Sequence, residues 1–549
     1  MNYRRAVRIS IIFILSIFAA GAAARAVSTP PTAGEDALLD AIFRIDLKTV
    51  QASLTFNPAD NSVDGTCTMY FRMRPGQIRP VFHFKPLATG ELTAYTFRLD
   101  GETWDVAAAN TAAGSAILKV LALPGTAQKS IEVERDVDPS LDHVMSLTYH
   151  ILLSPGYPRF SSLVDDIAGQ GNEAVFPTLN TPGELARHIL TFRVSGAAPY
   201  RCIGSGWVQK TGAQEWQLDT EREVASYTVM YALLPEADTV YEERIINGIP
   251  VRLLAYVGGA SVSQAWTQIT GALVDFVIWY GTFPMPRGLS VFLVGGGGGM
   301  EYFGGTISGV GALRHEIHHM YFATSTVAKT YRDSWFDEAV TSWAVDYARN
   351  IAPIAANYRS NIVSGRTPWA IGFDTRAYNK GAQIFGALAA KAGSSANLTL
   401  FLSNLYRKHA FAPFTTLDLA EYFKEFTGID VRPDFLNWLY NGKAPAFSES
   451  TAAGSVASDF VGKAALARDL FPRASTAEVD PRAGSGAPAG VGVRAGAPAI
   501  KDDLVDSLVK DELVVADVEA AVDPTPPDPI LRKYGLSTVS SATPSRRLP

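Results

Sequence analysis

The chain has 549 residues, 47% of them apolar, enough for a sizeable core spread over roughly two or three domains. Lys and Arg number 48 against 54 Asp and Glu, a formal net charge of -6. That balance gives no electrostatic footing for nucleic acid or an anionic membrane surface, so neither is expected as a partner.

At the N-terminus, Arg4, Arg5 and Arg8 precede the apolar run Ile9–Ala23, which closes on Ala24-Arg25-Ala26. A basic start, a short apolar centre and a small-residue cleavage site form the pattern of a secretory signal peptide. The run is shorter than the ~20 residues a bilayer requires. Residues 1–26 are therefore expected to be removed, with the mature protein periplasmic or extracellular and without a membrane span.

Residues 27–248 read as an antiparallel β domain. "ASLTF" and "TCTMYFRM" alternate around the turn-rich "NPADNSVDG", a hairpin signal, and "HILTFRV" and "ASYTVMYALL" repeat the style. Cys67 alternates with Met69, Phe71 and Met73 and so is expected to point inward. The only other cysteine is Cys202. In an oxidising compartment the two could pair, and as buried free thiols they would be equally ordinary, so both alternatives stand.

The pattern changes near residue 249. A strand "IPVRLLAYV" is followed by a helical stretch, Val262–Tyr280, and the strand "LSVFLV". Helical spacing then covers Ala312–Tyr347 and Tyr378–Tyr440, with a capping-box signature at Thr415 to Asp418. Residues 249–447 thus form an α/β domain. Residues 448–549 are rich in Ala, Gly, Pro and Ser and are expected to be largely disordered, apart from an acidic amphipathic helix over Lys501–Val522. No internal repeat is evident, and the sequence does not specify an oligomeric state.

The chemistry is concentrated in the second domain. "RHEIHHMYF" contains His315-Glu316-Ile317-His318-His319, in which His315 and His319 share one helical face and can converge on a single zinc ion. Glu316 then reaches water activated by the metal, as general base. After eighteen intervening residues beyond His319 comes Glu338, inside the helical "SWFDEAVTSWAVDY" and suited to be the third protein ligand. His318 is turned about 100° from His319 and is read as a supporting or surface residue. His83, His143, His150, His188 and His409 are dispersed and read as structural.

Ahead of this motif runs "GGGGGMEYFGG", Gly295 to Gly305. It lacks the Lys-Ser/Thr ending of a phosphate-binding loop. Glycine permits close approach of backbone to a ligand, which suits an edge strand able to pair with an extended peptide.

Together these residues resemble the M1 family of gluzincin metallopeptidases, the alanyl-aminopeptidase and leukotriene A4 hydrolase type. The resembling motifs are Gly298-Gly299-Met300-Glu301, His315-Glu316-x-x-His319, Trp335 through Glu338, and "YNKGA" from Tyr378 to Ala382. The resemblance implies an α+β multidomain fold: an antiparallel β domain, then a thermolysin-like zinc metallopeptidase domain, then the disordered tail. It implies one zinc ion per chain on His315, His319 and Glu338, with Glu316 as base. It also implies that Glu301, with Gly298, Gly299 and Met300, binds the free α-ammonium of a peptide, and that Tyr378 stabilises the oxyanion. Tyr302 stands where the family has Asn, Asp337 and Ala339 flank Glu338 in place of Asn and Gly, and the helical region after the site is short. A zinc endopeptidase or other hydrolase on this scaffold, a glycyl-aminopeptidase relative with the Gly-Gly-Leu-Glu-His motif, and an inactive binding protein are the alternatives.

Overall fold

The computed structural model describes residues 44–442, except 93–94, 107–116, 123–128, 154–159, 162–170, 180, 361 and 363–374. The signal-peptide and tail assignments, including the Lys501–Val522 helix, lie outside the described residues.

The N-terminal domain is built on an eight-stranded sheet. Ile45–Asn57 and Ser62–Met73 form the expected hairpin, with Asn57 opposite Ser62, and their side chains alternate between buried and exposed. One face closes on an apolar core that includes Leu47, Leu54, Cys67 and Phe71. The sheet differs from the antiparallel expectation in one pairing. Ile45–Asn57 lies parallel to Leu185–Val194, from Thr49 opposite Arg187 to Phe56 opposite Val194. A parallel pair needs a crossover rather than a hairpin, and the long segment between these strands supplies one. Cys67 and Cys202 are both free. They sit in different sheets, and the Cys67 thiol donates to the Pro177 carbonyl at 3.3 Å.

The second domain carries a five-stranded mixed sheet in the order Thr239–Ile246, Ile249–Tyr256, Leu289–Leu293, Gly305–Ser308, Gly299–Tyr302. Thr239–Ile246 pairs with Ile249–Tyr256, so this sheet begins ahead of residue 249. At the other edge, Gly299–Tyr302 is hydrogen-bonded on one side to Gly305–Ser308. The helix Val262–Tyr280 spans the expected residues, and its N-cap Ser261 accepts the Gln264 N–H. Its buried stripe of Ala265, Trp266, Ile269, Leu273, Phe276 and Tyr280 follows the 3.6-residue period.

The stretch expected to be helical from Ala312 to Tyr347 is interrupted. A short motif helix, Leu313–His318, and a second helix, Trp335–Thr341, are separated by an irregular segment. The reason is local competition for carbonyls. Thr324 Oγ1 donates to His319 O, and Ser325 Oγ donates to Met320 O and Tyr321 O at 2.7 and 2.8 Å. The second helix runs on into a π-helical turn, Ser342–Asp346, and a further π turn, Ala377–Gly381, carries Tyr378. Helices Ala382–Lys391, Ser395–His409, Thr416–Thr427 and Arg432–Tyr440 complete the domain. The capping box of the third is formed as expected, with Thr415 and Asp418 bonding reciprocally. Buried Asp333 accepts the Thr416 N–H and hydroxyl, both at 2.9 Å, which ties this helix back to the segment leading into Trp335–Thr341.

Candidate metal centre

His315 and His319 lie one turn apart at the end of the motif helix, their ring centroids 4.9 Å apart. Glu338, four residues into the Trp335–Thr341 helix, comes to meet them: its Oε2 is 3.1 Å from His315 Nε2 and 3.6 Å from His319 Nε2. One donor atom from each of the three lies within 4.8 Å of the other two.

The Nδ1 atoms face the other way. His315 Nδ1 bonds Asp346 Oδ1 at 3.2 Å, on the π turn that follows Glu338, and His319 Nδ1 is 3.4 Å from the Phe322 carbonyl and 3.3 Å from the Thr341 hydroxyl. Acceptors at Nδ1 fix the tautomer that leaves the Nε2 lone pair free for a metal. His319 Nε2 is fully buried and has no hydrogen-bond partner. A buried nitrogen without a partner, beside a second imidazole and a carboxylate, is the donor set zinc takes in a catalytic site. The residues fit the ion.

Burial works against charge here, and His319 and Glu338 offset it by facing one another. Desolvation opposes the charged form of His319, but Glu301 and Glu338 push its pKa up to about 10. Glu338 is likewise buried, and His319 and His315 hold its carboxyl well below the usual carboxylate range. Burial pushes Glu316 up to about 8, against the pull of both histidines and with Glu301 and Glu338 adding to the rise.

The nominated side chains converge, Met300 excepted. Glu316 and Glu301 each bring a carboxylate oxygen to within 4.8 Å of a His319 nitrogen and of one another. Tyr378 donates its hydroxyl to Glu338 Oε1 at 2.9 Å. Met300, expected to bind substrate, instead packs half-buried against the apolar cluster on the face away from Glu301, because it alternates with Glu301 along the strand, and the Gly298 carbonyl accepts the Gly309 N–H at 2.8 Å. Gly299 has a steric role. A Cβ there would stand 2.5 Å from Glu316 Cγ and 2.7 Å from its carboxyl carbon, so only glycine lets the base lie against the strand. Tyr302, the departure from Asn, is buried in an apolar cluster with Met230, Phe292 and Ile307. Strand alternation sends it to the face opposite Glu301.

His318 is not on the surface. It is fully buried, bonded to the Tyr280 hydroxyl at 3.0 Å and the Thr341 hydroxyl at 2.9 Å, and burial holds its pKa well below the ordinary value. It joins the motif helix to both helices it packs against. Sequence reasoning missed Asp346 and Thr341. Asp346 falls eight residues after Glu338, a spacing that keeps it near one helical face and is the only signal that pointed to it.

No family profile matches the chain, and no curated protein matches it. Among solved structures it is similar to the M1 zinc metallopeptidase of Deinococcus radiodurans, with a TM-score of 0.54 at 18% identity over 72% of this chain and 94% of that one. A mutant of the same peptidase bound to a Tyr-Ser-Ala substrate gives a TM-score of 0.53 at 18% identity, with the same coverage. Yeast leukotriene A4 hydrolase in complex with bestatin gives 0.56 at 12% identity, over 72% of this chain and 68% of that one. At these identities the likeness is one of fold: a β-rich N-terminal domain followed by an α/β domain with a helical end.

Two outcomes follow from the geometry. Asp346→Ala frees the His315 ring and should weaken zinc affinity about 10- to 100-fold, read by competition with a chromophoric chelator. Unchanged affinity would mean that Asp346 does not orient the ligand. Gly299→Ala should displace Glu316 and lower any hydrolytic activity while leaving the zinc content found by metal analysis unchanged; activity equal to that of the unaltered protein would show that the close approach does not matter.

Proposed function

We infer that the protein is an exported zinc-dependent aminopeptidase, removing N-terminal residues from peptides. The observation that carries this reading is the convergence of His315, His319 and Glu338 around an unpartnered buried nitrogen, with Glu316 and Glu301 at the same point. The fold shared with M1 zinc metallopeptidases, one of them bound to a peptide, supports it. The basic and apolar N-terminus supports export. No helix among the described residues is long and apolar enough to cross a membrane.

Zinc on His315, His319 and Glu338, one ion per chain, would supply Lewis acidity, lowering the pKa of water and polarising the peptide carbonyl. Glu316 takes the proton of the attacking water on a carboxylate oxygen and passes it to the departing amine. Tyr378 holds its hydroxyl at Glu338 Oε1 and turns that hydrogen bond to the oxygen of the substrate carbonyl as negative charge develops there. Glu301 holds the α-ammonium, and the substrate backbone lies along the outer edge of Gly299–Tyr302, where the glycines Gly298 and Gly299 leave room for it.

The second reading is a zinc endopeptidase, which the short helical region between Ala382 and Tyr440 favours because less protein stands around the site. The two are separated by one panel. Wild-type enzyme is expected to hydrolyse aminoacyl arylamides and to cleave N-acetylated counterparts poorly. Glu301→Gln should reduce that discrimination by about 30-fold, the equivalent of losing a paired charge worth ~2 kcal/mol. Equal rates on free and acetylated substrates would favour the endopeptidase. Glu316→Gln should lower kcat by about 100- to 10,000-fold without loss of zinc. Activity that survives this substitution would exclude the mechanism, and a wild type that binds peptides without hydrolysing them would leave a binding protein.

A further inference from the structure

Burial does not enforce the contact between His315 Nδ1 and Asp346 Oδ1, because the Asp346 carboxylate is 44% exposed. Water competes for an exposed carboxylate, so such a contact keeps one geometry only where the backbone that carries it is fixed. The backbone after Asp346 is fixed by an unusual turn. Ala348 and Arg349 both stand in the left-handed region, at φ 48° and 62°. Residues other than glycine are strained there and persist only where their surroundings over-determine them. Here the surroundings do so. The Arg349 N–H donates to the Trp343 carbonyl and the Asn350 N–H to the Tyr347 carbonyl, both at 2.8 Å. The Arg349 carbonyl accepts the Ser395 hydroxyl at 3.0 Å, and the Tyr347 hydroxyl accepts from the Asn379 side-chain amide at 2.8 Å.

The Arg349 side chain adds an anchor on a third element. Its guanidinium lies over the Trp279 ring, 4.0 Å from the ring centre. Trp279 also receives Arg314, the residue before His315 in the motif helix. The Arg314 guanidinium is 5.6 Å from the Trp279 ring and 5.2 Å from the Phe276 ring, and it pairs with Asp275 on the same helix. Each partner of the hydrogen bond therefore has an arginine nearby in sequence, one residue before His315 and three after Asp346, and both arginines rest on one indole. An aromatic face attracts a guanidinium, more strongly where water is partly excluded, as around these half-buried side chains. The indole belongs to Val262–Tyr280, a helix that offers no donor atom to the metal centre.

We propose that Trp279 and Arg349 are positioning residues of the metal centre: with Arg314 they set the π turn against the motif helix, so that Asp346 meets His315 and orients its ring. Neither residue touches the ion. The proposal rests on His315, His319 and Glu338 holding zinc, and not on the peptidase activity.

The test is the zinc affinity of the full chain, read by competition with a chromophoric chelator, in a cycle with Asp346→Ala. Trp279→Leu and Arg349→Met are each expected to weaken affinity about three- to thirtyfold, the range a cation–ring contact supplies. Trp279→Phe keeps the aromatic face and Arg349→Lys keeps the cation, so both should retain most of the affinity. In the Asp346→Ala background, Trp279→Leu and Arg349→Met should cause little further loss, because they act through Asp346. A merely structural role would lower Tm and add its full effect in that background, and this result overturns the inference. Wild-type affinity in Trp279→Leu and Arg349→Met overturns it as well. If Trp279→Leu does not fold, the cycle is completed with Arg349→Met and the same outcomes decide. A wild-type chain that binds no zinc overturns the inference together with the metal centre on which it rests.

Discussion

Everything in the second domain bends toward the carboxylate of Glu338. It is 6% exposed, and a buried carboxylate survives only where other groups offset the loss of water. Here His315 and His319 face one of its oxygens and the Tyr378 hydroxyl occupies the other. Those partners arrive on the motif helix and on the later π turn, so one side chain joins elements distant in sequence. Removing it would leave two imidazoles, a phenol and the Glu316 carboxyl around an empty corner.

The surrounding backbone is shaped to bring these groups together. Both π turns fall at this site: one follows Glu338 and delivers Asp346, and the other carries Tyr378. Extra residues in a helical turn re-aim the side chains that follow, which accounts for their frequency at functional sites. Glycine does comparable work where elements press closest. Gly299 admits Glu316 against the edge strand, and Gly381 lets the Tyr378 turn sit on Ala339, where a Cβ would come within 2.5 Å of the alanine methyl. His318, between the Tyr280 and Thr341 hydroxyls, locks the motif helix in a rotation that turns His315 and His319 toward Glu338.

Much of this was legible in the sequence, and the reasons are local. A hairpin whose strands alternate over a turn-rich link, a capping box whose two members are three residues apart, and ligands one helical turn apart all record short-range geometry. The helix Val262–Tyr280 was readable end to end because its stripe is regular and its cap is a serine. The break after His319 was not, since Thr324 and Ser325 interrupt a pattern that stays apolar around them. The parallel pairing of Ile45–Asn57 with Leu185–Val194 is a long-range choice that alternation alone does not encode. Asp346 looked like any helix carboxylate.

The central claim is that His315, His319 and Glu338 hold one zinc ion. X-ray absorption at the zinc edge, on the purified full chain, tests it directly. The account predicts one zinc per chain with nitrogen and oxygen neighbours at about 2.0–2.2 Å, an imidazole signature from two histidines, and loss of one oxygen neighbour in Glu338→Ala. A sulfur neighbour near ~2.3 Å, or a zinc environment unchanged in that variant, would contradict it.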